Sequence, residues 1–204
     1  MIRVWRIPFS TNVERVALAL GHKGLEAEWV DVDRNDRTAV IEASGQPLVP
    51  VLEDDGKLVA DSTAILEYLE ERFPEPALLP TCAFLRARVR KCVEIVNSGV
   101  QPMQNLRTMN AIKALGGDAM AFAKDANERG LAALEVEAAE TGGPHLVGEQ
   151  LTLADVYLVP QVYSARRFDV DMSKYPLVTA IDARLAEHPA IQAAHPSKQI
   201  DATP

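Results

Sequence analysis

The fold turns on "VPVLEDDGKLVADSTAILEYLEERF", residues 49–73. Two short apolar runs flank Asp54-Asp55-Gly56, a tight-turn signal, and read as two antiparallel strands joined in a hairpin. The remainder is helical, because Ile65, Leu66, Leu69 and Phe73 fall on one face.

Working outward toward the N-terminus, Ile2 to Ile7 is rich in strand formers and stops at Pro8. A helix follows, with Val13, Val16, Ala17 and Leu20 at i, i+3, i+4 and i+7 and Gly24 placed to end it. Ala27 to Val32 reads as a second strand, and Val40 to Ala43 as a short helix. With the hairpin and its helix the order is β-α-β-α-β-β-α, that of an α/β thioredoxin-like layer.

In the other direction "FPEPALLPTC" (73–82) holds three prolines in ten residues, and no convincing strand follows it. The sequence predicts a domain over 1–75, a linker over 76–84 and an all-α domain over 85–204. Leu85, Val89, Cys92 and Val96 line one long helix, an alanine-rich helix runs from Asp118 to Glu140, and another follows Pro176. Between the last two, Thr152 and Asp155 form a capping-box pattern, with Leu151 and Val156 as its hydrophobic staple. The tail "HPSKQIDATP" is too polar and proline-broken to add a core element.

The chain has 204 residues, 48% apolar and 25% charged, with a formal charge of −8. That charge argues against a nucleic-acid or anionic-membrane surface, since such binding relies on clustered Lys and Arg. Any anionic small molecule must instead meet a few locally placed cations. Two cysteines with no Cys-x-x-Cys and no paired Cys/His spacing give no metal or dithiol redox centre, and a cytoplasmic protein is expected.

"PFSTNVERVALAL" (8–20) places two hydroxyls, Ser10 and Thr11, before the first helix. Thr11 and Glu14 match a capping box, and a serine in such a place is ordinarily an N-cap. Asp61-Ser62 opens the helix after the hairpin, where a hydroxyl and unpaired N–H groups either cap the helix or hold a carboxylate.

Several stretches are similar to the glutathione transferase superfamily: "LVPVL" resembles its cis-proline loop, "DSTAILEYLEE" its glutathione-binding turn and helix, and "GEQLTLADVYLVPQV" its folding motif. "GVQPMQNLR", "LVPQVYSARRFDVDMSKYP" and the tail resemble the zeta class, which includes maleylacetoacetate and maleylpyruvate isomerases. The resemblance implies a glutathione transferase fold and a homodimer.

It also implies that Ser10 is the catalytic hydroxyl. A free thiol with a pKa near 8.5 attacks only as thiolate, and each unit of depression needs about 1.4 kcal/mol. A helix N-terminus and a donated hydroxyl hydrogen bond both favour the anion. By the same resemblance Ser10, Thr11, Asn12, Val49, Pro50, Asp61, Ser62, Gln101 and Asn105 bind glutathione, with Pro50 cis and the Val49 backbone pairing with the cysteinyl part. Gln101 and Asn105 are expected on one long helix, where a plain polar stripe is the alternative. Arg107 and Arg167 would hold the carboxylates of a second substrate, against the ordinary alternative of solvated arginines with packed stems. Tyr157, Met103 and Met109 line an electrophile pocket or else the core.

The class usually begins its first helix with Ser-Ser-Cys, whereas Asn12 stands here at the cysteine position. This departure ranks a general transferase acting on small electrophiles first. A glutathione-dependent cis-trans isomerase of a maleyl keto acid is the alternative, and a non-catalytic ligand-binding protein is the competing class.

Overall fold

A computed structural model describes residues 1–194; the tail from His195 onward lies outside the described residues. The contacts divide the chain into two units, Met1–Leu78 with the segment from Glu187, and Leu79–Ala186.

The first unit is built on a four-stranded sheet ordered β2-β1-β3-β4, formed by β1 (Ile2–Arg6), β2 (Ala27–Asp31), β3 (Val51–Asp54) and β4 (Lys57–Ala60). β1 runs parallel to β2 and antiparallel to β3, and β3 and β4 are the hairpin. Asp55 (φ 49°) and Gly56 (φ 78°) both take the positive φ that a two-residue hairpin turn demands. Helices α1 (Thr11–His22), α2 (Thr38–Ser44) and α3 (Ser62–Arg72) complete the layer. Gly24 ends α1 as expected, its φ of 65° accompanied by a bond from Leu25 N to Leu20 O.

α1 departs from a one-faced amphipathic helix. Leu18 and Ala19 are buried beside Val13, Val16 and Leu20, and the charged Glu14 and Arg15 are buried as well. The cause is that α1 packs against α3 and also against α10 (Pro189–Ala194). A β-carbon added at Gly21 would lie 3.2 Å from Ala190 Cβ, so two small residues set the approach of the helices. The expected division at 85–204 therefore differs from the packing, which returns α10 to the first unit.

The second unit is helical: α4 (Ala83–Asn97), α5 (Gln101–Gln104), α6 (Leu106–Ala114), α7 (Ala119–Thr141), α8 (Leu153–Arg167) and α9 (Pro176–Leu185). The Thr152–Asp155 capping box forms, with Asp155 Oδ2 accepting from Thr152 N at 2.8 Å and Oδ1 from Leu146 N at 2.9 Å. One expectation is corrected here. Gln101 and Asn105 do not share a long helix: α5 is a single turn with Pro102 in it, and Asn105, extended at ψ 154°, is the N-cap of α6.

Candidate active site

The sheet register brings three turns to one end of the first unit. Trp5 pairs with Val51 and Val51 with Ala60, so the segments after Arg6, before Val51 and after Ala60 leave from neighbouring positions on β1, β3 and β4. Those segments carry Ser10, the Val49-Pro50 pair, and Asp61-Ser62. Beneath them Ile7, Val32, Val40 and Val51 form a buried cluster, with Trp5, Val49 and Ala60 packed on it. The Val49-Pro50 peptide is cis, as the resemblance implied. Glu75-Pro76 is also cis, which no sequence signal indicated.

Ser10 is the N-cap of α1, and its carbonyl accepts from Glu14 N at 3.0 Å, yet its side chain makes no cap hydrogen bond. The Thr11–Glu14 capping box does not form. The helix starts one residue too early for it, making Thr11 the first helical residue and putting Val13, not Glu14, at the position a box would use. The Ser10 hydroxyl is thus a donor at a helix N-terminus with no capping task. Arg34 holds the preceding loop by donating to Pro8 O at 2.9 Å.

Both helix starts at this end carry backbone strain. Phe9, just before Ser10, has φ 64°, and Asp61, just before Ser62, has φ 76° with ψ 130°. A bulky residue at positive φ is an outlier, and such outliers concentrate at functional sites. Asp61 is exposed and caps α3, its Oδ1 accepting from Thr63 N at 2.9 Å. Ser62 is buried, and its Oγ accepts from Arg15 Nη1 at 3.4 Å. Arg15 carried no sequence signal, because it lies off the Val13–Val16–Ala17–Leu20 face that the sequence marks as apolar. Asn12 Oδ1 is buried with no hydrogen-bond partner among the described residues.

In the second unit, Asn105 Oδ1 caps α6 by accepting from Thr108 N at 3.0 Å, which leaves its amide N–H groups. The segment is anchored by three buried amides that sequence reasoning missed. Asn127 donates to Gln104 at 2.8 Å, Gln161 to Asn127 at 2.5 Å, and Gln104 to Gln161 at 3.3 Å, tying α5 to α7 and α8. Buried amides must find partners, and the closed ring supplies them. Single amides spaced far apart in sequence give no pattern from which this could be read.

Arg107 lies exposed near the start of α6, and Arg167 is the exposed last residue of α8. Met109 and Phe168 belong to one apolar cluster, so the segments bearing the two arginines meet there. Arg166, by contrast, is committed to Asp182 at 2.8 Å. Tyr157 (0% exposed) and Met109 (8%) are core residues, which removes them from an open pocket. Cys92 is buried, and burial first, then the nearby Glu137 and Asp155 carboxylates, push its thiol up to about 12; at neutral pH it stays protonated.

Comparison with known proteins shows the family. Residues 5–77 match the model of the glutathione S-transferase N-terminal domain, and residues 118–189 that of the C-terminal domain. A probable maleylacetoacetate isomerase of Caenorhabditis elegans is 39% identical over 97% of this chain and 92% of its own. The chain belongs to the zeta class of the glutathione S-transferase superfamily.

Solved zeta-class relatives have the same fold. A bacterial maleylpyruvate isomerase, crystallised in holo form, superposes with a TM-score of 0.93 at 36% identity, covering 98% of this chain and 99% of that one. A maleylacetoacetate isomerase from Anaeromyxobacter dehalogenans, solved with dicarboxyethyl glutathione and citrate in its active site, gives 0.90 at 43% identity, covering 100% and 98%.

Proposed function

We propose that this chain is a glutathione-dependent cis-trans isomerase of a maleyl keto acid, maleylacetoacetate or maleylpyruvate. The observation that carries the reading is the hydroxyl of Ser10, which makes no cap hydrogen bond, at the N-terminus of α1, on the sheet end shared with Val49-Pro50 and Ser62. Full-length similarity to isomerases, and two exposed arginines on segments that meet at Met109 and Phe168, favour the isomerase over a general transferase.

The residues fit glutathione. Ser10 donates to the sulfur, and with the α1 N-terminus holds it as thiolate. The Val49 backbone meets the cysteinyl part. Asp61 takes the γ-glutamyl amino group and Ser62 the adjoining carboxylate. Thr11, Asn12, Gln101 and Asn105 complete the contacts. Arg107 and Arg167 orient the two carboxylates of the keto acid through charge-assisted bonds. When bound, glutathione supplies a sulfur nucleophile that makes the double bond of the keto acid transiently single, so that it rotates, and is itself returned unchanged. Because that sulfur comes from glutathione, Asn12 in place of the class cysteine removes no step.

The test compares turnover of maleylacetoacetate and maleylpyruvate, with and without glutathione, against conjugation of 1-chloro-2,4-dinitrobenzene. Glutathione-dependent isomerisation as the faster reaction is expected. Conjugation without isomerisation would instead establish the general transferase, the second reading, which shares Ser10 but not the two arginines.

A further inference from the structure

Arg15 is buried to 1% exposure and heads the large fully buried side chains of the protein. A guanidinium is never deprotonated in a protein, so the first unit holds a permanent charge beside two helix N-termini. Taking such a charge out of water costs several kcal/mol unless its surroundings offset it.

Lys23, the C-cap of α1, is a second buried cation. Lys23 Nζ donates to Glu70 at 2.8 Å and to the carbonyls of Phe73 and Pro76 at 2.8 and 2.9 Å, fastening α1 to the end of α3. Arg15 points to the opposite end of α3, where its Nη1 donates to Ser62 Oγ at 3.4 Å. Ser62 is the first residue of α3 and is 3% exposed, between exposed Asp61 and half-buried Thr63.

A hydroxyl has one proton to give and two lone pairs. With one lone pair held by Arg15, the Ser62 proton turns away from the guanidinium, and the cation strengthens it as a donor. A donor fixed in this way suits an anion and has no use for a cation. Asp61, next to it in sequence, has one oxygen occupied by Thr63 N and brings a negative charge to the same helix start.

We propose that Arg15 is a positioning residue that sets Ser62 as a carboxylate donor, so that this end of the site selects thiols carrying an α-amino acid head, with Asp61 on the ammonium and Ser62 on the carboxylate. The inference rests on the glutathione reading above. It adds that the preference for the free α-carboxylate depends on a residue that need not touch the ligand.

The test uses the full-length protein with two thiols: glutathione, and 4-aminobutyryl-cysteinylglycine, which lacks only the α-carboxylate. In the wild type, glutathione is expected to have a KM lower by about tenfold or more, the scale of a hydrogen bond to a charged group. Arg15→Met should raise the glutathione KM by about that factor, leave the analogue's KM within about threefold, and leave kcat at saturating thiol nearly unchanged. Ser62→Ala should cost the same, and the double variant no more than either.

Equal weakening of both thiols by Arg15→Met would mean a merely structural role and would overturn the proposal. So would a wild type indifferent to the carboxylate, while leaving the glutathione reading intact. Activity with neither thiol would overturn both readings. If Arg15→Met does not fold, Arg15→Lys decides: it keeps the charge without the planar fork, and is expected to lose carboxylate selectivity, whereas full retention would refute the role of the guanidinium.

Discussion

Among the described residues, α1 and α8 each have a hydroxyl residue at the N-cap, and they use it differently. At α8, Thr152 accepts from Ala154 N at 3.3 Å, and its own N–H and hydroxyl are held by Asp155, which is 0% exposed. At α1, Ser10 occupies the same N-cap position and its side chain caps nothing. One hydroxyl stabilises the fold; the other is left available where an anion is favoured by the helix dipole. The lesson is that a helix start announces a site by what its hydroxyl does not do.

The contrast breaks most visibly at α8. Asp155→Ala removes acceptors from Leu146 N, Thr152 N and the Thr152 hydroxyl, and should cost about 3 kcal/mol in chemical denaturation, with the activity of the folded fraction unchanged. A cost below about 1 kcal/mol would remove α8 as the structural member of the pair.

Ser10→Ala should do the reverse. Loss of the hydrogen bond to the sulfur is expected to lower kcat/KM about 100-fold, equivalent to about 2.7 kcal/mol of barrier, while the thermal midpoint stays put. A lower midpoint with unchanged kcat/KM would make Ser10 an ordinary cap. The smallest effect sharpens the comparison: Thr11→Ala should change stability by less than about 0.5 kcal/mol, since no capping box is formed there. A loss of about 1 kcal/mol would put the cap back on Thr11.

The hairpin, the order of elements along the first layer and the α8 capping box were legible because each is written in residues close together in the sequence: Asp55-Gly56 for the turn, Thr152 with Asp155 for the box. The α1 start was misread by one position, since Thr11 and Glu14 satisfy the box spacing and only the backbone at Phe9 and Ser10 decides which residue comes first. The break at Pro102 to Asn105 was overlooked because polar residues at helical spacing look continuous until an extended Asn105 divides them. Arg15 and the Gln104–Asn127–Gln161 ring lay beyond reach for another reason. Both depend on which elements pack together, and a charged or amide residue inside an apolar pattern gives no sign of what it will meet.

The docking of α10 on α1 has a consequence for how the chain acquires its structure. Gly21 and Ala190 are among the small residues that bring these helices together, and the whole second unit lies between them in the sequence. During synthesis the β-α-β and hairpin segments precede the second unit, but the helix that covers one side of α1 emerges only after it. The first unit therefore cannot finish on the ribosome before the second has been made, and a segment made after the second completes it.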